Sequence, residues 1–168
     1  MLHTQLAALA LAAAAVIASG CGSSKNESTA ASTSTPSTTA TAATGAPLSL
    51  ARWISEGNAI CKNTEAKLAT LNAHTQAQLA NELPLAASYY TVQAEELAKL
   101  VPPKSMAHDW EQIIDDIHLF SEYTDKAAEY IKTAHKVDGP ALAKATNLQR
   151  QVVAMVKHDG FTHCVRLG

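Results

Sequence analysis

Aromatic side chains are scarce in this 168-residue chain, at 5% of positions, with two Trp, two Phe and four Tyr. So few rings leave little material for a base-stacking or carbohydrate-binding surface. An excess of charge of either sign is also missing. The 13 basic and 15 acidic residues sum to a net charge of −2, and no Lys/Arg cluster is present to neutralise phosphates, which argues against nucleic acid as a partner. The chain lacks a glycine-rich phosphate loop, a nucleophile elbow, a zincin helix and a Cys-x-x-Cys-His haem attachment, and its serines and histidines are too scattered to nominate a triad. Nothing here calls for an enzyme or a cofactor. No stretch alternates with period two over enough residues to argue for a sheet, and the apolar run over 6–17 is too short to span a bilayer.

What is present is divided unevenly. The 6–17 run suits the hydrophobic region of an export signal, and it closes on Val16-Ile17-Ala18-Ser19-Gly20-Cys21. This closing stretch resembles a bacterial lipobox, although Ala18 stands where leucine is commonest and no Lys or Arg precedes the run. The resemblance implies diacylglyceryl attachment at Cys21, cleavage of residues 1–20 and a membrane anchor at the new N-terminus; a plain cleaved signal that leaves Cys21 free is the alternative. Residues 21–47 are then a tether. Ser, Thr, Ala, Gly and Pro dominate it, as in Ser32-Thr33-Ser34-Thr35-Pro36, and such a composition cannot bury enough apolar surface to fold. A flexible spacer of that length reaches roughly 25–30 Å.

With Cys21 assigned to lipid, Cys61 and Cys164 remain. An exported chain with two such cysteines most simply forms one disulfide. A metal or redox site that combines Cys164 with His158 and His163 is the alternative.

From residue 48 onward the pattern is helical, with apolar residues recurring at threes and fours. The first helix, 49–71, uses Leu50, Trp53, Ile54, Gly57, Cys61, Thr64, Leu68 and Leu71. The second, 76–101, uses Leu79, Leu83, Ala86, Tyr90, Ala94, Leu97 and Val101; Pro84 either kinks it or sits in the first turn of a helix that begins at Asn81. The third, 105–136, is the longest and most regular, with Met106, Trp110, Ile113, Ile117, Phe120, Thr124, Ala127, Ile131 and Ala134 on one face and Ser105 as its expected cap. Its acidic first half and basic second half run opposite in sign to the helix macrodipole. The fourth, 140–158, uses Leu142, Ala145, Leu148, Val152 and Val156, starts at Gly139-Pro140 and closes on Gly160, with 161–164 folding back. Four such helices with short connections predict an all-α, antiparallel four-helix bundle.

The domain is similar to a broad group of small actinobacterial lipoproteins and secreted helical proteins of unestablished function. The similarity rests on Asn58-Ala59-Ile60-Cys61, on the leucines that lead into Pro102-Pro103, on Trp110 and on Gly160-Phe161-Thr162-His163-Cys164. It implies lipid anchoring, a helical fold and the Cys61–Cys164 bridge, and it supplies no catalytic residues.

Two surfaces stand out as candidates. His108, Glu111, Asp115, His118, Glu122, Asp125 and Glu129 form a stripe opposite the core face of the third helix, where Asp115 with His118, or His118 with Glu122, has the spacing to share a divalent metal. A solvated face is the simpler reading. Leu119, Tyr123 and Tyr130 on the third helix and Leu85, Tyr89 and Val92 on the second either meet one another or leave an apolar patch for a partner. The sequence therefore leads to a non-enzymatic, lipid-anchored domain on the extracytoplasmic face of the cell membrane. Its partner would be a protein or an envelope component, with a small-molecule or metal-binding lipoprotein as the alternative.

Overall fold

Every residue in the computed structural model from 45 to 164 is described; the export signal, Cys21 and most of the tether lie outside those residues. Helices α1 (Leu50–Leu68), α2 (Gln76–Leu97), α3 (Ala107–Ala134) and α4 (Pro140–His158) follow one another, with a single 3₁₀ turn at Lys104–Met106. The fold is all-α and contains no strand among the described residues. Neighbours in sequence are neighbours in space: α1 packs on α2, α2 on α3 and α3 on α4, each pair antiparallel. Among the described residues no helix is long and apolar enough to cross a membrane.

The ends of the helices follow local chemistry. Ser49 caps α1 by accepting from the Arg52 amide. The helix stops at Leu68 rather than at the expected 71, because the Thr70 hydroxyl takes the Lys67 carbonyl at 2.7 Å and the chain tightens into 3₁₀-type bonds. Thr75 and Gln78 form a capping box that fixes the start of α2 at Gln76. A start at Asn81 is thereby excluded, and Pro84 lies in the helix interior, where its missing N–H leaves the Ala80 carbonyl without its i+4 donor. The helix also ends at Leu97, short of 101, since Pro102 disfavours the helical conformation of Val101. The Val101 carbonyl instead accepts from the Leu48 amide at 3.0 Å and ties down the start of the domain.

Ser105 does not cap α3. It falls inside the 3₁₀ turn, and Met106 occupies the cap position with no side-chain bond. At the other end α3 stops at Ala134 instead of 136, because His135 adopts a left-handed conformation with φ 53°. Gly139 and Pro140 open α4 as expected. Its close is a Schellman motif: the Gly160 amide bonds the Lys157 carbonyl and the Phe161 amide bonds the Val156 carbonyl, with Gly160 at φ 92°. This turn aims Phe161 back at the core.

The core follows the expected faces with three departures. On α2 the fully buried residues of the first half are Ala80 and Ala87, while Leu79, Leu83 and Ala86 flank them half-buried. Alanines at the contact let the α2 and α3 backbones approach, and the larger side chains close the seam from the sides. On α3 the buried arc is wider than one stripe and adds Ile114, Ser121 and Ala128, since this helix has a neighbour on either side. Leu50, expected inside, is 52% exposed at the first position of α1.

The closest backbone approach of α1 is to α2 alone. The space between α1 and the rest is filled by three rings. Trp53 meets Trp110 and Phe161 edge-on, each at 4.8 Å between centroids, and Phe161 stacks on Trp110 at 5.5 Å. Gly57 makes room for Phe161: a Cβ at this position would lie 2.4 Å from the ring. A Gly57→Ala substitution is therefore expected to cost about 1–3 kcal/mol despite alanine's better helix propensity. Urea unfolding monitored by circular dichroism measures it; a stabilised variant would show that the ring does not need the gap.

Candidate functional site

The segment after α4 is fixed to α1 by a row of side chains. Asn58, Cys61 and Glu65 follow at spacings of three and four, so an amide, a sulfur and a carboxylate line up on one side of the helix. Cys61 is disulfide-bonded to Cys164, with Cα atoms 5.0 Å apart. The Asn58 side-chain oxygen accepts from the Thr162 amide at 2.9 Å and the His163 amide at 2.8 Å. His163 Nδ1 lies 3.0 Å from Glu65 Oε2, and Gln93 on α2 donates to the Cys61 sulfur at 3.5 Å. The residues of a Cys164, His163 and His158 metal or redox site are thus taken by separate partners, the last by Asp159 at 3.2 Å. In an Asn58→Ala variant the Thr162 and His163 amides both lose their acceptor, which should cost about 1–3 kcal/mol. Amide hydrogen exchange at Thr162 and His163 should accelerate, with Asn58→Asp retaining most of the protection.

The stripe on α3 borders a groove of about 380 Å³ between α2 and α3, lined by Pro84, Ala87, Ser88, Thr91, His118, Ser121, Glu122 and Asp125. Within it the two helices are joined by hydroxyls. Ser121 Oγ donates to the Ala87 carbonyl at 2.7 Å, and Thr91 Oγ1 lies 2.8 Å from Ser121 Oγ. Thr91 Oγ1 also lies 3.2 Å from the Ala87 carbonyl, so the two hydroxyls and this carbonyl form one cluster. Neither residue belongs to a sequence motif; their only signal is their position at the edge of an apolar face. Among the described residues no three His, Cys, Asp or Glu side chains converge as metal ligands. Asp115, His118 and Glu122 share a helix face, and Glu122 is engaged by the Lys126 ammonium. Burial, and secondarily the adjacent Asp115, raises the Asp116 carboxyl above its usual range, while Lys144 lowers it.

The tyrosines of the two apolar flanks have separate partners. Tyr89 lies under Lys67 of α1, with the ammonium 5.8 Å from the ring centroid. Tyr130 packs against Gly139 at the start of α4, where an added Cβ would fall 2.3 Å from the ring. Tyr123 leans on the core and carries Lys126 over its face at 4.9 Å. Tyr89 and Tyr130 thus face different neighbours, and Leu85, Val92 and Leu119 are exposed. Burial also pushes the Tyr90 phenol well above its usual range, so this ring is neutral inside the core.

A third feature escapes the periodicity altogether. Asp109 in the first turn of α3 and Ala154, Met155, His158 and Asp159 at the end of α4 line a cleft of about 250 Å³. The Asp159 side chain is only 2% exposed; one oxygen faces His158 Nδ1, while Oδ2 is buried with no hydrogen-bond donor among the described residues.

No protein-family model matches the chain, and comparison with curated proteins and with solved structures finds no match.

Proposed function

We propose that this chain is a lipid-anchored, extracytoplasmic helical domain that binds a protein or cell-envelope partner and catalyses no reaction. The observation that supports this most is the Cys61–Cys164 bond. Disulfides persist in oxidising compartments, and this one uses two of the three cysteines. The third, Cys21, closes the apolar run, where acylation accounts for it. The Ser/Thr tract that follows then holds the domain away from the bilayer, and the helical surface is left for recognition.

Metabolic labelling with an alkyne-tagged fatty acid, followed by membrane fractionation, tests the anchor. The wild-type chain expressed in a bacterial host is expected to carry the label and to sediment with membranes, and Cys21→Ala to lose both properties. An unlabelled wild-type chain in the soluble fraction would overturn the proposal.

A further inference from the structure

We infer that the Cys61–Cys164 bond exchanges with a small external thiol in one direction: the new sulfur joins Cys164, and Cys61 leaves as the thiolate. This goes beyond the proposed function and does not depend on the lipid. The two sulfurs have opposite surroundings. Gln93 on α2 aims its side-chain N–H at Cys61 Sγ from 3.5 Å, whereas Cys164 Sγ lies 3.6 Å from the carbonyl oxygen of Gly57. An N–H donor stabilises a thiolate, while a carbonyl oxygen repels one and accepts from a neutral thiol.

Gln93 carries the argument. It is 1% exposed, and its Oε1 has no hydrogen-bond partner among the described residues, so the amide is only half satisfied in the core. A leucine of similar size would avoid that cost. The intact disulfide does not explain the donor, because a neutral sulfur is a weak acceptor. A charged one is a strong acceptor, so the Gln93 N–H contributes most once Cys61 carries the negative charge.

Access works in the same direction. Both cysteines are 2% exposed, so exchange waits for an opening. Residues 161–164 form a short strap on α1, held by the Asn58 acceptor, the His163–Glu65 contact and the Phe161 ring. Cys164 moves with that strap. Cys61 lies inside α1 and stays against Gln93, so a lifting strap uncovers Cys164 first. The external thiolate attacks Cys164 Sγ, the S–S bond breaks, and its electron pair passes to Cys61 Sγ. One thiolate and one disulfide stand on each side of the step, with no net oxidation. In the reverse step Cys61 attacks Cys164 Sγ and expels the external thiolate, so the strap carries the adduct and Cys61 resolves it.

Reduced glutathione is the probe. The full chain in detergent is incubated with it in urea well below the unfolding midpoint, quenched early with acid, alkylated with N-ethylmaleimide and mapped by peptide mass. Cys21 is read from its own peptide, which scores the anchor separately. Glutathione on Cys164 with maleimide on Cys61 is expected at least about fivefold more often than the reverse. Gln93→Leu should narrow this ratio and slow adduct formation severalfold while circular dichroism shows the helices retained. Glutathione mainly on Cys61, an even split, or no mixed disulfide before global unfolding would each overturn the inference. So would an unchanged ratio and rate in the folded Gln93→Leu chain. The wild-type ratio decides the direction of exchange even where the variant does not fold.

Discussion

Replacing Cys61 and Cys164 together with alanine lowers the unfolding free energy by about 2–5 kcal/mol, the largest loss expected from any paired change in the domain. The bond links residues 103 apart in sequence, and in the chain-entropy picture a loop of about 100 residues corresponds to about 4.7 kcal/mol of constraint on the unfolded chain. Both sulfurs are buried, and the described segment after α4 is also held to α1 by the Asn58 acceptor, by the His163–Glu65 contact and by the Phe161 ring. Burial also governs access. A thiol reductant added to the folded protein should cleave the bond only as fast as the strap opens, so reduction should accelerate sharply with urea well below the unfolding midpoint. Urea denaturation of the double variant against the wild type measures the equilibrium effect; an unchanged midpoint would mean that the bond constrains nothing.

Phe161→Ala is expected to cost about 3–5 kcal/mol, the range for truncating a buried aromatic ring. The ring touches both tryptophans and fills the hollow over Gly57, so its removal leaves a cavity where Trp53 of α1 meets Trp110 of α3. The emission of Trp53 and Trp110 should shift to longer wavelength as water reaches them. Phe161 and the disulfide hold the same segment after α4, so their effects should not add: combining Phe161→Ala with loss of the bond should cost less than the sum of the separate changes. A sum that is fully additive would place the two in independent parts of the fold.

The fold was legible because its helices are amphipathic and its stops are chemical. Trp110, Ile113, Ile117, Phe120 and Ile131 recur at threes and fours on α3 and are all buried, and Gly139-Pro140 and Gly160 mark the ends of α4 where the periodicity places them. The misplacements share a cause. Periodicity reports which face is apolar, but it cannot tell which neighbour presses closest, so Ala80 and Ala87 reached the centre of the α2–α3 seam ahead of Leu79 and Leu83. Ends set by a single side chain, such as Thr70 on Lys67 or the left-handed turn at His135, leave no mark in the pattern.

The candidate sites were less legible. Spacing places Asp115, His118 and Glu122 on one helix face, but it does not show that Lys126 would engage Glu122. For the apolar flanks, spacing did not show which neighbour each tyrosine would find: Tyr130 packs on Gly139 and Tyr89 lies under Lys67. Asp159 was invisible beforehand because its interest lies in burial, and a carboxylate next to a helix-ending glycine reads as exposed.

The central claim joins the covalently closed bundle to an anchored N-terminus, and peptide mass mapping of the full chain extracted from membranes without reduction tests both at once. The expected result is a chain that begins at Cys21 bearing diacylglycerol and yields one Cys61–Cys164 cross-linked peptide. Free thiols at Cys61 and Cys164, in a chain that retains Met1 and an unmodified Cys21, would contradict it.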